Sequence, residues 1–224
     1  MVSEIIHAVS GWIFDLDGTL VDSLPGIAAS LNRALETAGQ KTHSTQAIRR
    51  FIGDGAVMLV RRALPPGDDA LRDRVLEVFR EDYAATWQHG TVPYDGISEL
   101  LGFLRNQGVK LAVLSNKPHD FTINIVETLF PEVFDVVLGQ RDGIPHKPDP
   151  AGLRQILNLP GWSGIENCLI GDSVIDIQTA CAAGIDAIAV NWGYHDRDVL
   201  LAENPAQLVD SVAELRNCIR TKIP

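Results

Sequence analysis

Five short apolar runs punctuate the chain, at 9–14, 110–114, 134–138, 167–170 and 186–190. Each is too short for a buried helix and has the length of a strand covered on both faces. Between them lie longer stretches, 97–105, 120–129, 151–157 and 174–183, whose apolar residues recur at helical spacing. Strands alternating with helices across short joins predict a parallel sheet with helices on both sides. From about residue 24 to 92 the rhythm changes. Four helices are predicted there, at 24–39, 46–53, 56–64 and 69–87, separated by Gly39, by Gly53 and Gly55, and by the Pro65-Pro66-Gly67 turn. The pattern divides the chain into an α/β core, 1–22 and 93–224, and a helical cap, 23–92, inserted after the first strand. The chain rejoins the sheet near the stretch VPYDG.

The polar residues that interrupt this pattern gather at the ends of the predicted strands. The first strand runs into Asp15 and Asp17, the second into Ser115 and Asn116, and the fourth into Gly171, Asp172 and Ser173. In an open parallel sheet the carboxyl ends of the strands line the ligand crevice. The segment HKPDP adds Lys147 just before a predicted helix, and Asp176 follows Asp172 by four residues. Taken singly, each has a structural explanation: a strand-terminal Asp is a common turn residue or helix cap, and an acid in a first helical turn complements the macrodipole. Their joint occurrence in this order points to chemistry. Asp15, Asp17 and Asp172 offer oxygen ligands suited to a hard cation such as Mg²⁺, which would let clustered carboxylates stay ionised. The six histidines are scattered and the cysteines are unclustered, so nothing suggests zinc. Ser115 and Lys147 suit the oxygens of a phosphate.

Composition narrows the partners. The formal net charge of −10 argues against nucleic acid and against an anionic membrane surface, since both need clustered Lys and Arg. No apolar run is long enough to span a bilayer and the N-terminal stretch MVSEIIHAVSGW does not read as a signal peptide, so a cytoplasmic protein is expected. Cys168, Cys181 and Cys218 lack CxxC spacing and are expected to be reduced, mostly buried thiols. Arg49, Arg50, Arg61 and Arg62 crowd the cap, where most would form a solvated helix face. A monomer or homodimer is expected, because no long heptad pattern appears.

The motifs DLDGTLVDS, LSNKP, HKPDP and GDSVIDIQTACAAG, in this order, resemble those of the haloacid dehalogenase-like hydrolase superfamily. The resemblance implies a Rossmann-like doubly wound core with a small helical cap. It implies Asp15 as nucleophile forming an aspartyl-phosphate, and Asp17 as general acid and then general base. Ser115 and Lys147, with Asn116, would hold the phosphoryl group. Mg²⁺ would be bound by Asp15, the Asp17 main-chain carbonyl and Asp172, with Asp176 behind them. Asp17 sets the chain apart from relatives that remove halide or cut a carbon–phosphorus bond. The cap offers only Lys41, in a turn-like stretch, where the phosphonate-cleaving branch uses a Schiff-base lysine.

Within the cap, FIGDGAVMLVRRAL is similar to the corresponding segment of phosphoglycolate phosphatases, as are SNKP and the late VNWGYHDRDVLL. Gly53, Asp54 and Gly55 are the expected cap contacts, and Arg49 or Arg50 the expected partner of a substrate carboxylate. The expected activity is hydrolysis of a small phosphorylated metabolite, 2-phosphoglycolate first among them. A phosphomutase like β-phosphoglucomutase, a nucleotidase and a pyrophosphatase share the scaffold. A catalytically silent phosphate-binding regulator is the alternative outside enzymes, although inactive relatives would be expected to lose one of the motif residues.

Overall fold

The computed structural model describes residues 8–223; the reading of the extreme N-terminus lies outside them. Six parallel strands form the sheet: β1 (Val9–Phe14), β4 (Lys110–Pro118), β5 (Val136–Gln140), β6 (Glu166–Gly171), β7 (Asp186–Val190) and β8 (Gln207–Val209). Their order is β5-β4-β1-β6-β7-β8. β1 is therefore central, and its neighbours β4 and β6 follow it in opposite directions across the sheet. That reversal is the switch point at which open α/β sheets bind ligands.

Alternation along the strands sorts their side chains to two faces. Trp12 and Phe14 of β1 pack in one cluster with residues of α5 (Ile97–Asn106), α6 (His119–Leu129) and α10 (Val212–Arg220). Ile13 packs in the other, with residues of α7 (Ala151–Leu157), α8 (Val174–Ala183) and α9 (Arg197–Ala202). Trp12, Ile13 and Phe14 are fully buried, which accounts for the unbroken apolar run in the sequence.

Four helices lie between β1 and α5: α1 (Leu24–Thr37), α2 (Thr45–Arg49), α3 (Gly55–Ala63) and α4 (Asp69–Thr86), with a short 3-10 turn at Trp87–His89. Leu31, Leu35, Ile48, Val60, Val75 and Phe79 join the same apolar cluster as Trp12 and Phe14. An Arg33–Asp82 pair at 2.5 Å ties α1 to α4. At its root the segment is closed by an antiparallel pair of two-residue strands, β2 (Val21–Asp22) and β3 (Val92–Pro93). There the Gly26 N–H donates to the Gly90 carbonyl at 3.0 Å.

Several expectations need correction. The third core strand begins at Val136 instead of Phe134; Phe134 packs edge-on against Phe14 and Phe130. β4 continues through Ser115-Asn116-Lys117 to Pro118, beyond the apolar run that ends at Leu114. Of the three thiols only Cys168 is buried; Cys181 is exposed and Cys218 intermediate. β2, β3 and β8 are too short to leave a pattern in the sequence. Among the described residues no helix is long and apolar enough to cross a membrane.

The Gly26–Gly90 crossing generates a stability prediction. A Cβ on Gly90 would stand 2.6 Å from the Gly26 Cα, against backbone that has no side chain to give way. Gly90→Ala is expected to lower the urea midpoint with little change in slope, a loss of about 1–3 kcal/mol.

Candidate active site

β1 delivers the first two acids. The Asp15 N–H donates to the Ile170 carbonyl at 2.9 Å, continuing the β1–β6 ladder one residue past the strand. Leu16 turns into the core, so Asp15 and Asp17 both lie toward the crevice. Gly18 then reverses the chain with φ +88°, and a Cβ there would collide with the Asp172 carboxylate.

Asp172 follows β6 and is held from two sides. Its Oδ1 accepts from Thr19 Oγ at 3.0 Å, and its Oδ2 from the Tyr194 N–H at 2.7 Å. Gly193 lies so close that any Cβ there would also strike this carboxylate. Asp176, in the first turn of α8, accepts from the Ser173 N–H at 3.2 Å and from Ser173 Oγ at 2.5 Å.

Lys147 is buried at the base of this group. Its Nζ donates to Asp176 Oδ1 at 2.6 Å and to the Leu114 carbonyl at 3.0 Å, and lies 2.9 Å from Asp15 Oδ1. Burial opposes the charge of this lysine, but Asp15 and Asp176 outweigh it and hold the ammonium above its ordinary pKa. Asp15 Oδ1 nevertheless has no aligned hydrogen-bond donor. Burial pushes the Asp15 carboxyl up to about 7 against the pull of Lys147, with Asp176 and Asp17 adding to the rise. Asp172 is raised well above the usual carboxylate range, first by burial and then by Asp15 and Asp176.

Oxygens of Asp15, Asp172 and Asp176 lie within 4.8 Å of one another, and all three residues are buried. A set of buried oxygen donors that includes an orphaned carboxylate oxygen fits a hard divalent cation. The carboxylate of Asp17 stands apart from this group. Its Oδ1 accepts from Ser23 Oγ at 2.5 Å, and Lys117 Nζ lies 3.1 Å from both of its oxygens. Lys117 also donates to the Tyr83 hydroxyl, at 3.0 Å, from beneath α4.

The other expected residues divide. Ser115 and Asn116 line the crevice, as do Gly53 and Gly55, both with positive φ. The Asn116 amide is already engaged: Nδ2 donates to the Gly53 and Lys147 carbonyls, each at 3.0 Å, and Oδ1 accepts from the Lys147 N–H at 2.8 Å. Asp54 pairs with Arg62 and is absent from the lining. Arg49 is likewise absent from it; its guanidinium donates to the Gly193 carbonyl at 3.0 Å and lies 3.6 Å from Asp196.

Lys117, Tyr83, Ser23 and Tyr194 were not singled out by sequence reasoning. Lys117 sits inside the quoted LSNKP motif, but its two partners are 34 and 100 residues away. The crevice encloses about 80 Å³ and is roofed by Ile27, Ile52, Leu59, Phe79 and Tyr83 from the helical segment.

The profile described as haloacid dehalogenase-like hydrolase matches residues 12–190. The chain belongs to this family. Among these hydrolases, a phosphoglycolate phosphatase of Pseudomonas putida is 36% identical over 211 residues, covering 91% of this chain and 77% of that protein. One of Pectobacterium atrosepticum is 34% identical over 215 residues, covering 94% and 92%. A crystal structure of a phosphoglycolate phosphatase candidate from Lactobacillus delbrueckii subsp. bulgaricus superposes with a TM-score of 0.88. It is 35% identical, with 95% of this chain and 98% of that one covered. The doubly wound parallel sheet is the Rossmann-like fold shared by this family.

The raised carboxyls set a pH dependence. An unfolded aspartate titrates near 3.8, whereas Asp172 in the folded chain holds its proton to much higher pH. The folded state thus binds more protons across this interval, and stability falls as pH rises through it. In buffer freed of divalent cations, the wild type is expected to lose at least about 1 kcal/mol more than Asp172→Asn between pH 4 and 7. Parallel urea-midpoint profiles for the two proteins would sink this reading.

Proposed function

We propose that the protein is a Mg²⁺-dependent phosphatase that hydrolyses a small phosphomonoester through an aspartyl-phosphate, with 2-phosphoglycolate as its substrate. The observation that carries the reaction is the separate support of two neighbouring carboxylates. Asp15 is placed against Lys147, while Asp17 is placed against Lys117 and Ser23. One is set to attack and the other to move a proton. The substrate rests on the relatives, two of which are named phosphoglycolate phosphatases.

In the first half-reaction an Asp15 carboxylate oxygen attacks phosphorus. The ester P–O bond breaks as the new P–O bond forms, and Asp17 gives its proton to the departing alkoxide. In the second half, Asp17 takes a proton from water as the water oxygen attacks the same phosphorus. Orthophosphate leaves and the Asp15 carboxylate is restored. Ser115 and Lys147 hold the phosphoryl oxygens, with Lys147 kept in place by Asp176 and the Leu114 carbonyl. Bound by Asp15, Asp172 and the Asp17 main-chain carbonyl, with Asp176 adjoining, Mg²⁺ would supply positive charge to the phosphoryl oxygens and to the clustered carboxylates.

In this reading 1–22 and 93–224 form the catalytic core, and 23–92 is a cap. Gly53 and Gly55 meet the substrate from the cap side, and the apolar roof excludes water from the acyl phosphate.

Phosphate release from a panel of phosphorylated metabolites, with and without Mg²⁺, tests the proposal. Chelation is expected to abolish release and added Mg²⁺ to restore it. Asp15→Asn is expected to lower kcat by roughly 10³-fold or more, and Asp17→Asn by about 10²–10⁴-fold. An Asp15→Asn protein with full Mg²⁺-dependent turnover overturns the mechanism. Broad, weak release without preference for 2-phosphoglycolate removes the substrate and keeps the chemistry.

A further inference from the structure

The reading above leaves open which residue selects the carboxylate of the leaving group. Of the sequence's two candidates, Arg49 is turned to the Gly193 carbonyl and Asp196, and Arg50 is exposed and outside the lining. Four other basic side chains line the crevice: Lys147, Lys117, Arg80 and His195. His195 accepts from the Val174 N–H through Nδ1, and burial opposes a charge on its ring. Lys147 is committed to Asp15 and Asp176 at the phosphoryl end. Arg80, on α4, is exposed and has no ion-pair partner among the described residues. Lys117 is buried beside Asp17.

We infer that Lys117 is the specificity determinant that receives the substrate carboxylate, with Tyr83 positioning it from the helical segment. The inference rests on the phosphatase reading and follows from reach. Asp17 must contact the ester oxygen to give it a proton. In a 2-phosphoester of a short acid, the carboxylate carbon is two bonds from that oxygen, so its oxygens fall roughly 3–4 Å away. Lys117 Nζ is 3.1 Å from each Asp17 oxygen, and Asp17 must itself come within about 3 Å of the ester oxygen, so Nζ stands no more than about 6 Å from that oxygen, close enough to reach the carboxylate with a hydrogen bond of ordinary length. Arg80 is exposed, so using it would require ordering a long solvated side chain.

The surroundings favour the same assignment. The remaining roof is apolar, with Ile27, Ile52, Leu59 and Phe79. A carboxylate entering there without a cation would be stranded at a cost of several kcal/mol. Nζ approaches both Asp17 oxygens equally, a shared contact that an incoming carboxylate can join. The Tyr83 hydroxyl accepts from Nζ at 3.0 Å, and the ammonium lies 4.6 Å from the Tyr83 ring centroid. Both contacts fix where the charge stands.

The test compares two esters of equal length, 2-phosphoglycolate and 2-hydroxyethyl phosphate, in the Mg²⁺-supplied protein. The quantity read is the ratio of their kcat/KM values, which cancels any damage to Asp17 common to both. Lys117→Met is expected to lower that ratio by about tenfold or more, mostly through KM for 2-phosphoglycolate, as expected for a lost charge-assisted contact. Tyr83→Phe keeps the packing and is expected to lower the ratio by roughly threefold, in the same direction; it decides the matter if the Lys117 variant does not fold. An unchanged ratio in both variants overturns the inference, as does a selective loss in Arg80→Met. A wild-type ratio near one removes the carboxylated substrate, and no phosphate release at all removes the phosphatase reading. Each of these is visible before any variant is compared.

Discussion

The site depends on the balance of buried charge around Lys147. Three carboxylates, Asp15, Asp172 and Asp176, converge on a region that holds this one ammonium. Fully ionised, they leave two negative charges uncompensated, which matches the charge of a divalent cation. Without that cation, burial drives protons onto Asp15 and Asp172, which explains their raised carboxyls. Glycines at 18 and 193 allow the backbone to close around Asp172, so the cluster is compressed by packing as well as charged. Removing one member of such a group would leave its neighbours with the wrong charge, and breaking a buried pair costs about 3–5 kcal/mol.

Asp17 has a cation of its own. Lys117 and Ser23 form a second compartment, separated from the first although Asp15 and Asp17 are only two residues apart in the chain. The strand's alternation accomplishes this: Leu16 points into the core and spaces the two carboxylates along one edge. In the proposed mechanism, these different surroundings would suit two chemically identical groups to different tasks.

The central strands and their helices were legible because burial imposes a period. β1, β7, α7 and α8 have the bounds that the apolar pattern predicts. The positions of Asp15, Ser115 and Asp172 were legible for the same reason, since polar residues there close short apolar runs, although β4 itself extends past Ser115. Short pairings were not: two residues of β2 against two of β3 show no period at all. Lys117 was hidden because its meaning comes from Tyr83 and Asp17, which only tertiary structure brings to it. The contacts of Arg49 were hidden because a helical sequence does not reveal how the helix is rotated; its guanidinium donates to the Gly193 carbonyl.

One amide joins the two halves of the crevice. The Asn116 side chain grips the backbone of Lys147 on one side and the Gly53 carbonyl on the other. It works as an interlock: the loop that carries the lysine and the loop that enters α3 register against one amide through three hydrogen bonds. For anyone transplanting a helical segment from a relative onto this sheet, matching apolar surfaces would be insufficient. The graft must also present a carbonyl where Gly53 does, or the amide beneath Lys147 is left half-satisfied and the phosphate end of the crevice inherits the mismatch.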